Sequence, residues 1–297
     1  MPRVEDGDLE ALHHARVASR RLRELVPVLE LDGETTRKLS RRLRRVTRRL
    51  GAVRELDVLM LLVEELRRSG RYAASALEQV GREVARTRAA ARERLAAKLP
   101  IAKLERVAHE LERAAKRLES ADMKSGRADA GRPRQAWRFA LEARLARRAA
   151  AVQAAVEVAG SMYVPEYLHD VRIALKKLRY AAELLRETRR DRTSADLRVL
   201  KGTQDVLGRL HDLEVLLEWV RQVQASLSTP DLSAWRDLGS LTRAIEDDCR
   251  LLHARYMRDR TRLIAVADRM AAPAQHTPSV KVSLRRSLPP GTRRAAG

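Results

Sequence analysis

Apolar residues recur at three- and four-residue intervals along most of the chain, and no segment alternates apolar and polar residues with period two. That is the period of an amphipathic α-helix, so the pattern predicts an all-α protein without strands. The first helix is expected from Asp8, as cap, to about Leu31, with Ala11, Ala15, Ala18, Leu22, Leu25, Val26 and Leu29 on its apolar face. Pro27 falls inside that pattern and should kink or shorten it. A second helix, from a cap at Thr35 to about Arg68, carries Leu39, Leu43, Val46, Leu50 and Val53 and ends at Ser69-Gly70. Further helices are expected over about 72–98, 102–118 and 134–158. Pro165 starts the next, Thr193 or Ser194 caps another, and Thr229-Pro230 opens the last, which ends near Met270.

The stretch 119–133, rich in Gly, Ser, Asp and Pro, reads as a loop dividing a helical domain, 1–270, into halves at about 8–120 and 134–270. Residues 271–297 carry five Lys or Arg and four Pro but no acid, and read as a disordered basic tail.

The chain repeats itself. Leu12–Leu29 lies over Leu168–Leu185 with seven of eighteen positions identical, and Leu50–Leu59 lies over Leu207–Leu216 with five of ten identical. Two blocks in the same order, at offsets of 156 and 157, indicate one duplication of a helical unit. The halves should therefore pack as two similar helical units about a pseudo-two-fold axis.

Helical geometry gives the first block a polar stripe. With about 100° per residue and His13 at zero, Arg20, Arg16 and Arg23 fall within roughly 80° of it, while the apolar residues centre near about 150°. The second copy places His169, Arg172, Lys176 and Arg179 alike, and Arg21 and Lys177 flank the two stripes. On the following helix Arg37, Arg41, Arg44, Arg45 and Arg48 run opposite Leu43, Val46 and Leu50. The second half is less basic there. Arg198 and Lys201 remain, Gly202 and Asp205 stand in place of Arg45 and Arg48, and Arg209 takes the position of Ala52.

Rows of like charge cost an isolated helix a few tenths of a kcal/mol per pair, about 0.2–0.5. They are accounted for if an anion completes them. Guanidinium suits phosphate because it donates two hydrogen bonds at once, and a histidine beside phosphate is expected to become cationic.

Composition narrows the reading. Hydrophobic residues at 44% and aromatics at 3% leave a core built from Leu, Ala and Val. A net charge of +21 and a pI near 11.1 favour polyanionic partners. Cys249, the single cysteine, reads as a buried inert thiol. No apolar run approaches a membrane span, and the N-terminus has no signal-peptide core, so a cytoplasmic protein is expected. No HExxH or CxxC spacing is present, and neither metal nor other cofactor is expected. Glu55, Asp57, Asp212 and Glu214 are read as anchors for Arg54 and His211, and Trp137, Trp219 and Trp235 as core.

The motif H-x-x-R-x-x-x-[KR]-[KR]-L-R, present twice and followed by blocks such as LGAVRELD, resembles the CHAD domain, the conserved histidine α-helical domain. The resemblance spans roughly Asp8 to Met270. It implies two four-helix bundles around a basic central groove, binding of inorganic polyphosphate, and association with polyphosphate granules. By position it assigns that binding to His13, Arg16, Arg20, Arg21, Arg23, His169, Arg172, Lys176, Lys177 and Arg179, with Arg41, Arg44, Arg198 and Lys201 on the second helices. The CYTH triphosphatase-type domain often joined to such domains is not expected, because its strands and E-x-E-x-K motif are missing from this chain. A binding protein rather than an enzyme is therefore expected. Nucleic-acid binding and polyphosphate phosphatase or phosphotransferase activity are the competing classes.

Overall fold

In the computed structural model the described residues are 9–29, 31–98, 101–124, 131–189, 194–227 and 231–272. They form eight α-helices and no strand. The helices are α1 (Leu9–Leu25), α2 (Gly33–Ser69), α3 (Ala74–Lys98), α4 (Ile101–Lys124), α5 (Gly131–Ala159), α6 (Pro165–Arg189), α7 (Ser194–Ala225) and α8 (Leu232–Ala271). The boundaries follow local chemistry. Pro27 sits in a 3-10 turn, Val26–Val28, which closes α1 early. Asp32, rather than Thr35, caps α2: its carboxylate accepts from the Thr35 amide at 2.7 Å. A carboxylate at that point also meets the positive end of the helix dipole. Gly70, at φ 66°, ends α2 in a left-handed conformation that a side chain would strain. The last helix is capped by Asp231, whose side chain accepts from the Ser233 and Ala234 amides. Thr229 and Pro230 lie outside the described residues, as do 125–130 and the expected tail from 273. Helices α4 and α5 reach into the stretch read as a loop, ending at Lys124 and starting at Gly131.

The helices build bundles. In the second half α5, α6, α7 and α8 close a ring, each packing on two others. Its core holds Leu145, Val152, Leu168, Leu175, Leu178, Leu200, Leu207 and Tyr256. In the first half α1, α3 and α4 each pack on α2, around Leu39, Leu43, Val46, Leu50 and Val53. A third core joins them. The end of α2 and the start of α3 meet the end of α7 and the start of α8. Duplicated positions meet there, with Leu59 and Leu216, Val63 and Val220, and Leu66 and Val223 all buried in one cluster. The two halves thus share a four-helix core at their junction, where repeated positions meet.

Two expectations about the apolar faces change. Ala18 is exposed, while Ser19 and Glu24 of α1 are buried. Ser19 Oγ bonds the Arg16 carbonyl, and Glu24 accepts from Arg144 and Arg148 of α5, so each buried polar group has partners. Trp235 is half exposed, and Trp219 packs against the central core. The Trp137 side chain lies outside the described residues. Cys249 is buried and unpaired, as its setting predicted.

Candidate functional site

Helices α1 and α6, the two copies of the His-Arg motif, pack on each other. Their polar stripes face a common cavity of ≈ 590 Å³, closed at its sides by α2 and α7. Arg16, Arg20 and Arg21 enter it from α1, and His169, Arg172, Lys176 and Arg179 from α6. Arg54 and Glu55 of α2 and His211 and Asp212 of α7 complete the wall. The buried apolar stripe of α6 holds this geometry, because Leu175 and Leu178, next in sequence to Lys176 and Arg179 respectively, are wholly buried.

The cations of this cavity divide into two groups. Some are committed. Arg21 reaches Glu183 and Glu187 of α6, at 3.9 and 3.5 Å. Arg179 donates to Gln204 at 2.8 Å, pairs with Glu183, and lies over the Tyr180 ring. Others have no such partner. Among the described residues no carboxylate lies within ion-pair distance of Arg16, Arg20, Arg172 or Lys176. The Nε atoms of Arg16 and Arg172 are buried without a hydrogen-bond partner.

The protonation equilibria respond to that crowding. Burial, then Arg172, Arg20 and Arg16, push the Lys176 ammonium down to about 6. Burial, then Arg20, brings Arg16 down to about 10. Arg172 is lowered by burial against the pull of Asp212. His169 and His211 approach to 3.3 Å between Nδ1 atoms, with ring centroids 4.7 Å apart. Burial and Arg172 lower both, and His211 falls to about 4. In the anion-free cavity at neutral pH both rings are therefore neutral, and one Nδ1 carries the shared proton. The expectation of a cationic histidine requires the anion to be present.

A second cavity, of ≈ 710 Å³, adjoins the first through His169 and His211. Tyr163, Glu166, Asp170, Glu214 and Cys249 line it. Tyr163 donates to Glu214 at 3.0 Å. Burial raises Glu214 to about 7 and Cys249 to about 11. No group of three or more His, Cys, Asp or Glu able to hold a metal occurs among the described residues.

The remaining sequence-assigned residues lie elsewhere. The His13 side chain falls outside the described residues. Arg23 is partly buried beside Arg44, and burial and that neighbour lower its pKa. Arg41, Arg44, Arg45 and Arg48 are exposed on α2, and Arg198 and Lys201 are exposed on α7. Lys177 does not line the cavity. Arg209 forks onto Glu65 of α2 with two bonds of 2.8 Å, which takes it from the anion-facing set. Conversely, Arg54 and His211 were read as partners of nearby acids but form part of the wall. Their signal in the sequence is their shared place in the second repeated block.

The acids also anchor differently from expectation. Asp57 is held by Arg88 at 2.6 Å and Arg92 at 3.3 Å, both from α3, rather than by Arg54. Glu214 lies 4.0 Å from His211.

No curated protein matches the chain. The family model of the CHAD domain matches residues 2–221, more than half of it. Helix α8, beyond that match, completes both the second bundle and the central core. With two copies of the motif facing one cavity and the family model matched across α1 to α7, the chain belongs to the CHAD domain family.

Proposed function

We propose that the cavity between α1 and α6 binds a linear phosphate polyanion, inorganic polyphosphate, and that the protein is a binding module rather than an enzyme. One observation carries the reading: Arg16, Arg20, Arg172 and Lys176 converge on a single cavity, and among the described residues none of them has a carboxylate within ion-pair distance, although Glu55 and Asp212 share the wall. All four are partly buried and without an ion pair, an arrangement that a bound anion compensates. A chain of phosphates supplies one negative charge per unit and oxygens for each guanidinium fork. Arg23 and Arg44 continue the positive surface from the cavity toward the exposed arginines of α2, giving a long chain a path outward.

Nucleic acid would meet the same charge but finds no base platform. Tyr180, the aromatic residue in the wall, is 7% exposed and covered by Arg179. Acid–base groups are present in the adjoining cavity, but among the described residues lining the cavity of the four cations there is no Ser, Thr or Cys to pair with a base. We extend the proposal to association with polyphosphate granules in the cytoplasm, the setting that the family resemblance implies.

The test is a competition titration resolved by salt. Long-chain polyphosphate should bind at low salt and weaken with a log–log slope of about −3, as for ~4 phosphate contacts on a single strand. Displacement of polyphosphate by DNA or RNA at equal phosphate concentration would defeat the assignment.

A further inference from the structure

The cavity holds one amine among its guanidinium groups. Lys176 lies on the α6 wall, partly buried, and lines the cavity with Arg172 of its own helix and Arg16 and Arg20 of α1. Those three neighbours cannot lose their charge at neutral pH, since guanidinium remains protonated in proteins. Lys176 can. From the other walls it faces His211 and Asp212 of α7 and Arg54 and Glu55 of α2, and no carboxylate pairs with it. An amine desolvated beside fixed cations is the arrangement that makes lysine nucleophilic. The same fixed cations gather anions at the amine.

We propose that Lys176 is an acylation site for small anionic acyl phosphates, recruited by Arg16, Arg20 and Arg172. The phosphate group of such a reagent takes the place of one phosphate unit of the polyanion. The Lys176 Nζ lone pair attacks the carbonyl carbon, forming the C–N bond. The bond from that carbon to the bridging phosphate oxygen breaks, and inorganic phosphate leaves. The amine proton passes to the departing phosphate, so atoms and charge balance without a further reagent. The product amide cannot be protonated. It leaves no amine on which a bound polyanion could restore an ammonium, so acylation lowers the affinity of the groove for a polyanion. Lowered ammonium pKa, to about 6, agrees with this chemistry but is not its basis.

The inference rests on the anion-binding reading of the cavity, and one experiment separates the two. The full chain is incubated at pH 7.5 with acetyl phosphate, with or without long-chain polyphosphate, and acetylation of each lysine is followed by peptide mass spectrometry. Lys176 should react at least about tenfold faster than its neighbour Lys177 or the exposed Lys201, from amine deprotonation and anion concentration together. An uncharged acetylating ester should show a smaller preference, because the arginines cannot recruit it. The Arg16→Ala, Arg172→Ala variant, with helicity checked by circular dichroism, should lose the preference for acetyl phosphate. Reaction of Lys176 at the rate of Lys177 and Lys201 overturns the inference, as does an equal preference with the uncharged ester. Selective labelling that polyphosphate fails to block upholds the acylation site and overturns the polyphosphate reading instead.

Discussion

Asp57 and Glu214 hold the same place in the two copies of one helical block, and their surroundings differ. Asp57 is 2% exposed and receives Arg88 and Arg92 from α3. Aligning the buried Leu77, Val80 and Val84 of α3 with Leu238, Leu241 and Ile245 of α8 puts Cys249 and His253 where those arginines stand. Glu214 accordingly has Tyr163 and Cys249 as neighbours, and burial lifts its carboxyl to about 7. The cavity walls do not diverge in this way. Arg16 and Arg172, and Arg20 and Lys176, are equivalent positions of the repeat, and all four basic side chains line the cavity. A duplicated unit has kept the charges that share one cavity and changed the acids that sit behind them. The acid of the first half locks helices together, whereas that of the second half is free to gain and lose a proton near neutrality.

The largest effect should come from the part the halves share. Replacing Arg16, Arg20, Arg172 and Lys176 together by Ala should weaken polyphosphate binding by ~1,000-fold or more, since hydrogen bonds to charged groups contribute about 1.5–3 kcal/mol each. The same number of alanines at the exposed Arg41, Arg44, Arg45 and Arg48 should cost only several-fold, through long-range field alone. Equal losses in a titration would mean that the cavity is not the principal site.

Next in size is the contrast between the acids. Asp57→Asn leaves Arg88 and Arg92 without their carboxylate and should destabilise the fold by about 3 kcal/mol. Glu214→Gln breaks no arginine pair and should cost under about 1 kcal/mol at pH 7, as a single hydrogen bond does. Urea unfolding of both variants measures the difference. Comparable losses would show the two copies to be equivalent after all.

Proton linkage distinguishes the halves further. Glu214 has its folded pKa raised from 4.5 to about 7, so its contribution to stability is present below 4.5 and is lost as pH rises through 7. Glu214→Gln should flatten that decline in a pH series of unfolding midpoints. Lys176 is lowered from 10.5 to about 6, so the unfolded chain holds more protons between those values and anion-free stability rises with pH across them. A bound polyanion should restore the ammonium. Binding near pH 7.5 should then take up as much as ~1 proton, read by calorimetry in buffers of different ionisation enthalpy. Lys176→Met should reduce that uptake, leaving the part carried by His169 and His211.

The smallest effect is expected at Arg209. Its partner Glu65 has 62% of its side chain exposed, so Glu65→Ala should change stability by less than about 1 kcal/mol. Freed from that fork, Arg209 should strengthen polyphosphate binding at most slightly. A large gain in the same titration would place Arg209 back among the anion-facing cations.

Much of the fold was legible in the chain because helix periodicity is local. Leu39, Leu43, Val46, Leu50 and Val53 announced the buried face of α2, and Pro27 announced its shortened predecessor. The repeat announced that two equivalent stripes exist. Helix ends were read less well, since Asp32 and Asp231 compete with nearby Thr residues for the capping role, and carboxylate geometry decides between them. Trp235 and Ala18 were placed on apolar faces by period alone, and packing leaves Ala18 exposed beside the buried Ser19 and Trp235 half exposed beside the buried Ala234.

The sequence by itself determined that the protein is helical, duplicated and lined with paired rows of cations. Tertiary structure decided which of those cations remain available. Arg209 meets Glu65 from 144 residues away, Arg21 meets Glu183 and Glu187 across the α1–α6 contact, and Arg144 reaches Glu24 across 120 residues. A helical wheel gives the direction of a side chain on its own helix but not the charge that another helix brings to meet it. Ion pairing and desolvation depend on distances of a few ångströms between remote segments, and only the packed halves fix those distances.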